Sequence, residues 1–125
     1  MTGTRAVLRG VRGATTVERD TPEQVRDRTQ ALVRTILERN AIAPEDLVSI
    51  LFTVTEDIVS AFPATAAREL GLEDVPLLGG REAAIEGALP HCIRVLVYCY
   101  SELSRKEVQH VYLERAAVLR SDLAD

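Results

Sequence analysis

One segment of this chain has the length and spacing of a long helix, while every other apolar run is strand-sized. The fold that follows is a sheet with too little helix to cover both of its faces. The helical segment opens at Thr21, an N-cap residue followed by Pro22 at the first helical position and by Gln24 three residues after the cap, the outline of a capping box. Val25, Thr29, Leu32, Val33, Ile36 and Leu37 then recur at three- and four-residue spacing, and Glu23, Arg26, Asp27, Arg34, Glu38 and Arg39 fill the other side. This spacing predicts a helix ending near Arg39, with Asn40 as a left-handed terminator.

Five runs read as strands. Ala6–Arg12 closes on the glycine-punctuated Gly10-Val11-Arg12-Gly13. Leu47–Val54 is almost continuously apolar, which implies cover on both faces. Val75–Leu78 leads into Gly79-Gly80, His91–Tyr100 is the longest run, and Val108–Tyr112 passes into a helical turn carrying Arg120, with a fraying tail from Ser121. Phe62-Pro63 starts a short helix through about Leu70 that Gly71 stops, and Arg81–Leu89, which has helical propensity but sits between a glycine pair and Pro90, reads as a loop with room for a turn of helix. The order gives an α+β class: one domain over residues 1–125, a single mixed β-sheet and a long helix on one face. The face left open needs a partner, and for so small a chain a second copy of itself is the simplest one.

Arg94 stands inside the apolar run Cys92-Ile93-Arg94-Val95-Leu96-Val97-Tyr98-Cys99. An unpaired guanidinium away from water costs several kcal/mol and cannot escape by deprotonation, so the site must supply or recruit an anion. Arg9, Arg12, Arg68 and Arg120 also stand beside Gly, Phe-Pro or apolar residues, outside ordinary charged helix faces. Arginines so placed suit a small anion of multiple charge. They do not suit nucleic acid, because the formal charge is −4 and the pI near 5.2. No run approaches a membrane span and no signal-peptide core opens the chain, so a cytoplasmic protein is expected. Cys92 and Cys99, an odd number of residues apart in one strand, face opposite ways as two small buried hydrophobes. His91 and His110 are isolated, and no metal-ligand spacing or phosphate-cradling glycine motif is present, so neither metal nor cofactor is expected.

Four blocks carry a family likeness: Arg9-Gly10-Val11-Arg12-Gly13-Ala14-Thr15-Thr16, Phe62-Pro63-Ala64-Thr65-Ala66-Ala67-Arg68-Glu69-Leu70, Cys92-Ile93-Arg94-Val95, and His110 through Arg120. In this order and spacing, from about residue 8 to residue 123, the chain resembles the monofunctional, trimeric chorismate mutases of α/β-barrel type. The resemblance implies a homotrimer whose three sheets form a pseudo-α/β barrel, active sites between adjacent subunits, and rearrangement of chorismate to prephenate without a cofactor. It places Arg94 against the ether oxygen, Arg12 and Tyr112 on a substrate carboxylate, and Glu82 on the ring hydroxyl. Phe62 packs on the substrate, Gly79 and Leu119 line the site, and Arg68 and Arg120 sit at the mouth.

The chemistry agrees with what the residues lack. A [3,3] rearrangement of a dicarboxylate needs no nucleophile, proton relay or metal; it needs the reactive conformer held and the charge developing on the ether oxygen met by a donor. One preorganised donor contributes about 2.7–4 kcal/mol, while a millionfold acceleration requires about 8 kcal/mol, so positioning must supply the remainder. Local sequence leaves other readings open. Arg94 also fits a structural ion pair, Arg12 a turn arginine, Glu82 a solvated loop carboxylate, Tyr112 a strand-end core residue, Phe62 a helix staple, and Arg68 and Arg120 surface charges. Two departures from the family pattern stand out: Gly79 where a relative has Cys, leaving only its backbone to assist, and Thr65 where a relative has Lys, removing a steering charge. Two rivals remain at this level, a trimeric imine deaminase of the Rid type and a non-catalytic dicarboxylate-binding trimer.

Overall fold

The computed structural model of the chain describes the backbone of residues 5–123 and the side chains of residues 5–119. Its strands are β1 (Val7–Thr16), β2 (Leu47–Val54), β3 (Leu77–Arg81), β4 (Cys92–Ser101) and β5 (Val111–Tyr112); its helices are α1 (Pro22–Arg39) and α2 (Pro63–Arg68). Short 3₁₀ segments cover Pro44–Asp46 and Glu114–Leu123. The strands form one mixed sheet in the order β3-β2-β4-β1-β5, with β4 antiparallel to β1 and β2, and with the β2–β3 and β1–β5 pairs parallel.

The glycine punctuation that predicts an end to the first strand does not end it. β1 runs on to Thr16, because Gly13 serves the packing of α1 and makes no turn. A Cβ added at Gly13 would lie 2.8 Å from Ile36 Cδ1, 3.0 Å from Val95 Cγ1 and 3.1 Å from Leu32 Cδ1, so only a residue without a side chain lets helix and sheet approach this closely. Ile36 and Leu32 belong to the buried stripe of α1, which packs with Val11, Ile50, Phe52, Val95, Val97 and Cys99 into the main core. The other side chains of β4, among them Arg94, Leu96, Tyr98 and Tyr100, face away from α1, and the facing positions on β1 include Leu8, 52% exposed, and Arg12. This is the face the helix count leaves uncovered.

At the start of α1 the capping box is only half formed. Thr21 Oγ1 accepts from Gln24 N–H as expected, but Gln24 Oε1 reaches past the cap and accepts from the N–H groups of Glu18 and Arg19. At its end Asn40 is not left-handed: its φ is −107°, and the left-handed residue is Ala41 at φ 51°. The Asn40 side chain is engaged elsewhere, since its Nδ2 donates to the carbonyls of Ile36 and Gln109 while its Oδ1 accepts from Gln109 N–H. That clamp ties the end of α1 to the strand entering β5. The sheet's third strand also begins two residues later than the apolar run suggests and includes both Gly79 and Gly80, while the fifth is reduced to Val111–Tyr112.

Between β2 and α2 the chain is held by two carboxylates. Asp20 accepts from the N–H groups of Val59 and Ser60, and Asp57 accepts from His91 N–H with both oxygens and from the Thr55 hydroxyl. These bonds carry the turn that presents Phe62.

Candidate active site

One line of paired residues crosses all five strands: Tyr112 on β5, Ala14 on β1, Arg94 on β4, Thr53 on β2 and Gly80 on β3. Residues paired directly across a sheet share a face, and this face is the one α1 does not cover. Arg94 is therefore not enclosed by its own chain as its apolar neighbours suggest. The alternation of β4 sends Ile93 and Val95 into the core and Arg94 to the open side, where its side chain is 41% exposed. Its Nε is nevertheless buried and has no hydrogen-bond partner.

The anion that Arg94 demands is supplied in part by Glu82. The carboxylate leaves β3 with its backbone N–H donating to Val54 O at 2.8 Å, and its Oε2 accepts from the Thr53 hydroxyl and lies 3.8 Å from Arg94 Nε. That separation is an ion pair without a hydrogen bond, so the guanidinium keeps its donors for another acceptor. Thr53 was legible only as a hydroxyl in an apolar strand; its register opposite Arg94 gives it the task of orienting Glu82.

Beside this row, Ala14, Cys92 and Ala116 are buried together, with Leu89, Tyr112 and Leu119 packed on them. The segment carrying Leu119 is fastened to the end of β1: Leu113 N–H donates to Ala14 O, Arg115 N–H to Thr16 Oγ1, and Arg28 on α1 bridges Thr16 O and the Glu114 carboxylate. Glu114 itself is held at φ 54°, where a side chain is strained. Burial pushes the Cys92 thiol up, by more than the nearby Arg94 pulls it down, and burial also raises Cys99. Both are free, protonated and buried, on opposite faces, which fits small hydrophobes and no nucleophile.

Three of the remaining expected site residues line two other cavities. Arg12 lies on the open face two residues before Ala14, opposite Leu96, and lines a cavity of about 450 Å³ with Arg9, Tyr98, Arg105 and His110. Phe62, 77% exposed, and Gly79 line a cavity of about 420 Å³ with Ile58 and Arg81. That second cavity is across the β3 edge from Arg94: Arg81 and Glu82 are consecutive and address opposite sides of the strand. Arg68 is exposed in the last turn of α2, and the side chain of Arg120 lies outside the described residues. Arg81 was absent from the expected set, because no spacing rule marks which side of an edge strand a loop-proximal arginine takes. Among the described residues no cluster of His, Cys, Asp or Glu is placed to hold a metal ion.

The arrangement thus offers an oriented cation–carboxylate pair on an open sheet face and an aromatic wall on the other side of the same edge. Comparison with known proteins gives the family. The profile of chorismate mutase type I matches residues 8–123. The chorismate mutase AroH of Thermus thermophilus is 49% identical over 118 residues, covering 94% of this chain and 97% of that protein. The AroH enzyme of Bacillus subtilis is 44% identical over 119 residues, covering 94% of each. The solved structure of a chorismate mutase from Clostridium thermocellum superposes with a TM-score of 0.87 at 39% identity, covering 88% of this chain and 98% of that one. With a profile that spans nearly the whole sequence and relatives this similar along their full lengths, the chain belongs to the type I chorismate mutase family.

Proposed function

We propose that the chain isomerises chorismate to prephenate by a concerted [3,3] rearrangement, in a cytoplasmic homotrimer whose active sites lie between subunits. The observation that carries this reading is the buried, unbonded Nε of Arg94 beside a carboxylate that is close but does not neutralise it. In the reaction one C–O bond breaks as one C–C bond forms, no proton moves, and the ether oxygen gains negative charge only on the way. Arg94 donates to that oxygen, so its bond strengthens in the transition state.

Glu82, oriented by Thr53, accepts from the ring hydroxyl, and the Gly79 backbone assists from the edge of β3. Arg12 and Tyr112 take a carboxylate, Phe62 and Leu119 pack against the carbon frame, and Arg68 and Arg120 guard the opening. Arg94 at about 2.7–4 kcal/mol leaves about half to two-thirds of an 8 kcal/mol acceleration to conformer selection by these groups. Supporting the assembly, the Phe62 and Arg94 surfaces face opposite sides of one sheet edge, so one substrate reaches both only if a second copy brings its Phe62 edge to this chain's Arg94 face. The apolar open face, with Leu8, Leu96, Tyr98 and Tyr100, supplies the surface for such packing.

The test is loss of chorismate absorbance on adding purified protein, with mass measured in solution. Turnover to prephenate by a species of three chains is expected. Binding of chorismate without its loss, or full activity in a single chain, would overturn the reading.

A further inference from the structure

Arg12 is held by a bond that no strand ladder provides. The β1–β5 pairing begins at Gly13 and Val111, one residue too late to satisfy the Arg12 backbone N–H, and that N–H donates instead to His110 Nδ1 at 2.9 Å. A ring nitrogen that accepts carries no proton, so His110 stands in the tautomer protonated on Nε2. The imidazole is itself fixed from behind. Gln109, the preceding residue, has both backbone groups clamped by Asn40, 3% exposed at the end of α1, through bonds of 2.7 and 2.9 Å. Hydrogen bonds from Asn40 to Gln109 and from the Arg12 backbone to His110, joined by the Gln109–His110 peptide bond, thus connect a buried helix terminus to the backbone of a residue on the open face.

We propose that His110 is a positioning residue for substrate binding, its neutral imidazole setting the backbone of Arg12 so that the guanidinium meets the substrate carboxylate. This rests on the assignment of Arg12 to a carboxylate given above. Protonation would place an N–H against an N–H, breaking the bond and freeing Arg12. Among the described residues lining the same cavity, the charged and titratable groups besides His110 are Arg9, Arg12 and Arg105, all cationic, and Tyr98. The pH series therefore runs to about pH 5, through the ordinary imidazole range.

The experiment measures KM and kcat for chorismate from about pH 8 to about pH 5 in the unaltered chain, His110→Asn and His110→Ala. Asn places an amide oxygen near the Nδ1 position and does not titrate. The expected result is an about tenfold higher KM in His110→Ala at every pH, with kcat changed little. His110→Asn restores KM to near the unaltered value at about pH 8 and keeps it flat down to about pH 5, where KM of the unaltered chain rises. Equal KM values for the Asn and Ala variants, or pH profiles that coincide between the unaltered chain and His110→Asn, would overturn the inference. Absence of prephenate formation by the unaltered chain would instead defeat the assignment of function, so the two failures are distinct. Thermal unfolding of each variant separates a positioning effect from loss of fold, and His110→Asn alone decides the pH dependence should His110→Ala not fold.

Discussion

Arg94 Nε stops 3.8 Å from Glu82 Oε2, near enough to be attracted and too far to be hydrogen-bonded. The carboxylate is turned by Thr53, so the pair is oriented without being closed. A closed pair would have spent the guanidinium's donors on its own chain.

Removing the cation should therefore remove most of the chemistry. Arg94→Ala is expected to lower kcat by about a thousandfold or more, with a smaller change in KM, because the lost bond forms chiefly as the ether oxygen becomes charged. Arg34→Ala, at an exposed position on α1 whose side chain donates to Gln30, serves as the control and should stay within about twofold. Steady-state kinetics on both variants checks this, and comparable losses would mean the site lies elsewhere.

Sites shared between subunits can be rebuilt from two defective chains. Arg94→Ala and the double variant Phe62→Ala, Arg68→Ala should each be impaired alone. Unfolded together in equal amounts and refolded, they should recover activity in about a quarter of the sites, those drawing Arg94 from one kind of chain and the Phe62 edge from the other. A mixture no more active than the sum of its parts would place all the residues in one subunit.

Gly13→Ala should destabilise the fold by about 1–3 kcal/mol, since the added methyl meets Ile36, Val95 and Leu32 in a fully packed core. Gly79→Ala adds a methyl with nothing within 4 Å and should leave the melting temperature almost unchanged. Calorimetry on the pair distinguishes a packing glycine from a site glycine.

Acid sensitivity should track Asp57. Burial alone would raise this carboxyl, but the Thr55 hydroxyl, the His91 N–H and the His91 charge together hold it below its ordinary value. A folded-state pKa below the unfolded one stabilises the fold above the ordinary carboxylate range, and that contribution is lost as pH falls through the folded value. Asp57→Asn should thus lower stability near neutrality and flatten its decline below about pH 4. Urea midpoints across that range measure the slope, and an unaltered slope would show that the carboxylate is uncoupled from folding.

The long helix and the two long strands were legible because periodicity reports burial: α1 ends at Arg39 and β2 spans Leu47–Val54 as their spacing predicts. Gly13 misled for the same reason it is needed, since a residue that reads as a turn here yields its side-chain volume to a helix 19 residues further on, at Leu32. Asn40 reads as a left-handed cap, yet its amide is used up on Gln109, 69 residues away, which no local rule can see. Arg94 was marked by its misfit in an apolar run, while its partners Thr53 and Glu82 depend on register, and register follows from pairings between distant strands.

The row from Tyr112 through Ala14, Arg94 and Thr53 to Gly80 makes alignment of the strands an all-or-none matter. Were β4 to slide by a single position against its neighbours, Arg94 would be driven among the aliphatic side chains and Ile93 or Val95 would be expelled to water. Such a mispaired molecule would be penalised at once by hydration energy and would never persist as a weakened catalyst. The register that presents Arg94 on the open face is thereby enforced during folding itself, by the same cation proposed for the chemistry.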